Sequence, residues 1–324
     1  MNRMRVARWI LLLVAAPVPG IAQLQGSARV FKVGFLVMNT THPEDAVIAL
    51  PKSKGFVEGQ NFVAERRRAE GHPERLPALA AELVRLDVDV LVAFTNTPAF
   101  AARAATSTIP IVVWAAHDAV GTGLVASLAR PGGNVTGVES LAPLLDAKRI
   151  QFLRELLPAT RRLGVIYDPA DPGTITHLRV AREAARAVSI SLLPLEISDR
   201  DGVDRLLEAI ERQRPDALLT FTDPITNDAF DRVAEAARVR RLPTFCEFRV
   251  FVQRGCLLSY GATLAEFNER VARFVERILR GEKPADLPVE QATRFELVVS
   301  QKVAREIGIV FPPSILLQAD QVIE

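Results

Sequence analysis

The stretch DAVGTGLVASLARPGGNVTGV, residues 118–138, decides the fold. Immediately before it, Ile111-Val112-Val113-Trp114-Ala115 is a short continuous apolar run, the pattern of a strand buried on both faces of a parallel sheet. His117, Asp118 and Gly121 then fall just past that strand's carboxyl end, where open α/β sheets bind ligands. Residues 122–129 read as a short helix, Pro131-Gly132-Gly133-Asn134 as a turn, and residues 135–138 as another strand. The stretch should therefore form one edge of a cleft, at the point where one parallel α/β unit hands over to a second.

The same alternation extends on both sides. Upstream, strands are expected at 30–37, 62–68 and 89–94, the first ending in a polar mouth loop, Met38-Asn39-Thr40-Thr41. A helix from 43 towards 54 is interrupted by Pro51, and one over 74–86 carries Leu76, Leu79, Ala80 and Leu83 on a single face. Thr95-Asn96-Thr97-Pro98 opens an alanine-rich helix to about 105; such a start is good capping chemistry, and its free N–H groups also suit a ligand carboxylate or phosphate. Downstream, strands at 162–167, 191–196 and 216–221 alternate with helices at 146–157, 177–188, 203–213 and 226–240. Short strands at 243–245 and 256–259 precede a long helix over 264–279, with Phe267, Val271, Phe274, Val275 and Ile278 at core spacing, and a last strand at 295–299. Repeated β-α units imply parallel sheets covered on both faces.

Residues 118–137 resemble the signature of a bacterial family of ABC-transporter substrate-binding proteins, the one that includes tryptophan/tyrosine-type binding proteins. Similar pieces follow in the family's order: GFVEGQN at 55–61, LPALAAELV at 76–84, ATSTIPIV at 105–112, KPADLPVEQ at 283–291, and PPSILL at 312–317 followed by Ala319-Asp320. Two departures stand out: Ala119 replaces the family's usual proline, and the region around Pro51 lacks the family's longer, more regular helix. The resemblance implies a type I periplasmic-binding-protein fold: α/β, with two doubly wound parallel-sheet lobes joined by a multi-strand hinge. It puts residues 28–140 plus 262–324 in lobe 1 and 141–261 in lobe 2, with crossings near 139–142, 246–249 and 259–262. It further implies no catalysis, no cofactor, and delivery of a small polar solute, with an amino acid as one candidate, to a membrane permease.

A chain of 324 residues with 49% hydrophobic content can build two ordinary cores. Arg3, Arg5 and Arg8 before the apolar run 9–16 have the form of a secretory signal, with cleavage near Ala22; an uncleaved amino-terminal anchor is the other reading. Residues 1–22 hold three arginines and no acid, so their removal takes the formal charge from +2 to −1. No basic stripe of a nucleic-acid binder remains. A soluble, monomeric protein of the periplasm is expected. Cys246 and Cys256 could close a small disulfide loop or remain two buried thiols.

The candidate ligand-binding residues are Thr95, Asn96, Thr97, Asp118, Asp223, Asn227 and Tyr260, each just past a strand's carboxyl end or at the following helix start. An amino acid would place its carboxylate on residues 95–97 and its ammonium on Asp118 and Asp223. Asp223 could instead be only a helix cap and Asp118 only a turn former. His42, His72 and His177 show no metal spacing, and Trp114 reads as core rather than a stacking platform. No Gly-x-Gly-x-x-Gly, phosphate-loop lysine or Gly-x-Ser-x-Gly elbow is present. A hydrolase built on Asp168, Asp171 and Asp223, and a sensory receptor partner, are the competing functions.

Overall fold

The computed structural model describes residues 29–39, 43–49, 57–199 and 202–324. The expected signal segment 1–22, His42, Pro51 and the second half of the predicted mouth loop, Thr40 and Thr41, lie outside the described residues. The first sheet contains β1 (Phe31–Val37), β2 (Phe62–Arg68), β3 (Val90–Phe94), β4 (Ile111–His117), β5 (Val135–Ser140) and the short β11 (Glu290–Gln291). Its spatial order is β11-β5-β4-β3-β1-β2, parallel throughout. Period-two alternation divides its side chains between two cores. Leu91, Ala93, Ile111 and Val113 pack under α2 (Leu76–Arg85) and α3 (Asn96–Ala105). Val90, Val92, Phe94 and Trp114 face α1 (Glu44–Ala49) and α9 (Leu264–Leu279). The long helix thus returns to the first sheet as expected.

The second sheet runs β13-β12-β10-β9-β8-β6-β7. Its strands are β6 (Arg162–Tyr167), β7 (Ser191–Glu196), β8 (Ala217–Thr220), β9 (Thr244–Cys246), β10 (Leu258–Ala262), β12 (Phe295–Ser300) and β13 (Gln321–Ile323). Helices α4 (Ala142–Leu156) and α5 (Pro172–Ala187) cover one face, α6 (Val203–Gln213) and α7 (Pro224–Val239) the other. The short α8 (Arg249–Gln253) spans β9 to β10, and a disulfide joins Cys246 to Cys256 across it.

Four expectations need correction. Residues 122–129 form turns rather than a helix, because positive φ at Asp118 (50°) and Gly123 (72°) reverses the chain twice within six residues. Strand β12 belongs to the second sheet, antiparallel to β10 with Leu258 opposite Val299, so residues 295–323 build lobe 2 rather than lobe 1. No crossing occurs at 246–249, since β9 and β10 are neighbours in one sheet; the third crossing is 292–294, after those at 140–142 and 262–264. Glu266 of α9 fixes it by accepting the N–H groups of Thr293 and Arg294 at 3.1 and 2.8 Å. Finally, the strand expected to be last is followed by helices α10 (Gln301–Ile307) and α11 (Pro313–Gln318) and by a further strand, β13, which pairs with it.

Candidate ligand-binding site

The carboxyl ends of the two sheets face each other across a cavity of about 420 Å³. The first unit contributes Asn39, Phe94, Thr95 and Trp114 from its strand ends, with Leu264 and Asn268 from α9. The second contributes Thr222, Asp223, Asn227 and Asp231 around the start of α7, with Phe248, Val250, Phe251 and Arg254 around α8. Three of the seven predicted residues therefore line it: Thr95, Asp223 and Asn227.

Thr95 is the residue most shaped by this position. It precedes α3 with φ 71° and ψ −175°, a region almost reserved for glycine, and α3 carries no side-chain cap. Its N–H donates to the Trp114 carbonyl at 2.9 Å, which holds the bend against β4. Among the described residues its buried hydroxyl has no partner. The first N–H groups of a helix have no intrahelical acceptor, and here they open beside a cavity at the positive end of the helix dipole.

Asp223 caps α7: Oδ1 accepts Thr226 N–H at 2.8 Å, Oδ2 accepts Asp168 N–H at 3.1 Å, and Thr226 returns a reciprocal bond. Each oxygen keeps a second lone pair. Burial pushes its carboxyl well above the ordinary range, and the neighbouring Asp168 and Asp171 add to the shift. Burial likewise raises Asp168 to about 6, and raises Asp171. Asp171 caps α5 through Gly173 N–H at 2.7 Å and accepts the Thr97 hydroxyl at 3.1 Å. Of these three buried carboxyls Asp171 bonds the start of α3, and no basic side chain is bonded to any of the three among the described residues. No group of three or more His, Cys, Asp or Glu side chains there is placed to hold a metal ion.

The other predicted residues serve the frame. The Asn96 amide bonds both the N–H and the carbonyl of His117, at 2.8 and 2.7 Å. Thr97 and Asp118 tie the two units together, the Asp118 carboxylate accepting the Thr176 hydroxyl at 2.7 Å and Gly121 N–H at 3.0 Å. Asp118 is thus a turn former and an interlobe contact. The Tyr260 ring packs between Phe152 and Phe295, outside the cavity lining. Asn227 reaches the cavity, but its side-chain oxygen accepts a hydrogen bond from the Arg254 guanidinium at 2.7 Å.

Sequence reasoning missed the apolar wall. Trp114 lies 5.5 Å from the Phe94 ring, 5.1 Å from Phe267 and 6.4 Å from Phe248, and lines the cavity as well as the core. It also missed Asn268, although a polar residue at i+4 from Leu264 on an otherwise apolar helix face was a visible signal.

Behind the cavity a buried polar cluster joins the units. His177 bonds Asp146 at 3.0 Å, Arg149 donates to the Tyr260 carbonyl at 2.8 Å and pairs with Asp146, and Ser140 donates to Glu247 at 2.9 Å. His117 of β4 meets His177 of α5 edge-on at 4.7 Å. Burial holds both imidazoles well below their usual range, and pushes Asp146 and Glu247 up to about 7.

Two wound sheets facing each other, crossed by three segments at one hinge, define a two-lobed solute-binding protein of the type I periplasmic class. The chain belongs to the ABC transporter substrate binding protein family, whose profile matches residues 46–323. That family binds small molecules for an ABC permease outside the cytoplasm and is not enzymatic. The chain is 23% identical, over 80% of its length and 74% of the relative's, to a tyrosine-binding protein of Clostridioides difficile (strain R20291). It superposes on a conserved domain protein of Vibrio cholerae with a TM-score of 0.86, at 28% identity over 91% of this chain and all of the other (100%). An ABC domain from Streptococcus pneumonia in complex with L-Trp gives 0.83, at 23% identity over 91% of this chain and 100% of that one. Among the described residues no helix is long and apolar enough to cross a membrane.

Proposed function

We propose that the cavity holds an α-amino acid with an aromatic side chain, its carboxylate at the start of α3 and its ammonium beside Asp223. The observation that carries this reading is the strained, unpartnered Thr95 at an uncapped helix start, directly opposite a group of buried carboxyls. The Thr97–Asp171 bond, 3.1 Å long, joins the start of α3 to this group of buried carboxyls across the two lobes. Phe94, Trp114, Phe248 and Phe251 supply a wall for an apolar ring. The tyrosine-binding relative and the L-Trp complex point the same way. Binding draws the lobes together about the three crossings, and the permease receives the closed form. We infer also that the chain is exported to the periplasm with residues 1–22 removed near Ala22, and that it works there as a monomer without nucleic acid.

Calorimetric titration of the mature protein with L-tryptophan, tryptamine and indole-3-acetate tests this reading. Each ligand that lacks one charged group should bind roughly 10- to 150-fold more weakly than the amino acid. Asp223→Asn should reduce the penalty for indole-3-acetate, which has no ammonium to lose. Stabilisation by sugars or polyols with no response to amino acids would refute the assignment.

A further inference from the structure

One polar group on the cavity wall has no part in holding the head of an amino acid: the amide of Asn268. Trp114 Nε1–H donates to its Oδ1 at 2.7 Å. An indole nitrogen can only donate, so the amide oxygen must face the tryptophan, and the NH2 group is turned away from it. That NH2 has no acceptor among the described residues. The half-buried amide shares the cavity wall with Trp114, Leu264 and Phe94, with two donor hydrogens available.

The indole also sets the distance. Its own main-chain carbonyl accepts the Thr95 N–H at 2.9 Å, and its ring nitrogen reaches Asn268. From the head-group end of the cavity to the Asn268 amide is therefore the span of one aromatic side chain. A ligand anchored at Thr95, with its ring along Trp114, brings the far edge of that ring to the Asn268 NH2.

We propose that Asn268 determines specificity within this site: its NH2 donates to an oxygen on the far edge of the ligand's ring, selecting a phenol-type amino acid over one with an unsubstituted ring. The inference rests on the amino-acid reading above. A phenol oxygen accepts such a bond, whereas a bare ring leaves the amide without a partner after water is excluded. A neutral hydrogen bond of this kind is worth roughly two- to twelvefold in affinity, and more where the site is dry.

The test measures dissociation constants for L-tyrosine and L-phenylalanine with the wild-type protein, Asn268→Leu and Asn268→Ser. The readout is the ratio of the two constants, so general damage from leaving the Trp114 N–H unpaired cancels. The wild type should favour tyrosine by at least about twofold. Both variants should bring the ratio to one or below. A wild type that binds both ligands equally, or a preference that survives in both variants, overturns this proposal alone. A wild type that binds neither overturns this proposal; the amino-acid reading falls with it only where L-tryptophan also fails to bind.

Discussion

Gly173, in the first turn of α5, lies where the two lobes touch. A Cβ built there would stand 2.6 Å from the His117 Cβ and 3.2 Å from the Asn96 amide nitrogen, both in the opposite lobe, and 3.0 Å from Asp171 Oδ1 in its own. Carbon atoms in contact sit about 3.5–4.0 Å apart, so Gly173→Ala forces the lobes to part by roughly 1 Å at this point. The interlobe bonds Thr97–Asp171 (3.1 Å) and Thr176–Asp118 (2.7 Å) connect the same surfaces and would lengthen with it. Overpacking of this kind costs about 1–3 kcal/mol, and here only in the closed form. If ligand binds the closed form alone, the dissociation constant rises roughly 5- to 150-fold. The open form has no such clash, and alanine in a helix is favoured over glycine by up to about 1 kcal/mol. The variant should therefore bind weakly while the free protein melts at or above the wild-type temperature. Calorimetric titration and thermal melts with and without ligand read the two effects separately. Affinity within twofold of wild type would refute the reasoning; a joint fall in affinity and free-protein stability would mean that the substitution merely disrupts α5.

Two further outcomes follow from groups around the cleft. Thr95→Gly relieves a backbone conformation that costs about 1–3 kcal/mol, so denaturant unfolding should show a free protein stabilised by about 1 kcal/mol once glycine's added unfolded-chain freedom is subtracted. Loss of the hydroxyl should at the same time weaken ligand binding roughly two- to twelvefold. Glu247, raised to about 7 chiefly by burial, contributes stability that is complete below its ordinary value and is lost as pH rises through 7. Glu247→Gln stays neutral, so its stability should gain on wild type between pH 5 and pH 8.5 by about 1–3 kcal/mol, read as a rising difference in melting temperature. A constant difference across that series would count against the buried-acid account.

Most of the elements were legible because their patterns are local. Continuous apolar runs fixed β4 and β6, and helix periodicity fixed α6 and α9 to the residue. Sheet membership was less legible: the run Phe295 to Val299 suits either sheet, and only the crossing after β11 decides between them. The site was half legible for a similar reason. Asp118 does lie past the end of β4, but a bulge between Val113 and Ala116 and its own φ of 50° turn its carboxylate to Gly121 and Thr176. That bulge depends on Gly137, where a Cβ would meet the Val113 carbonyl at 2.3 Å. No pattern within β4 alone encodes it. Tyr260 shows the same limit, since packing against Phe152 and Phe295 decides which side of the sheet its ring takes. Trp114 was read as core because an apolar residue on a buried strand gives no sign that a void lies against it.

The three crossings govern how the chain can be made. Helix α9, which seals one face of the first sheet, is read out only after all of β6 to β10, and the second sheet waits longer still for β12 and β13. A polypeptide emerging from its amino terminus can finish neither half early. Nor does cutting the gene at any single codon yield an autonomous lobe, since each draws on two separated stretches. Such an interleaved order favours a chain that stays loose until nearly all of it has been delivered, and that then assembles both halves together.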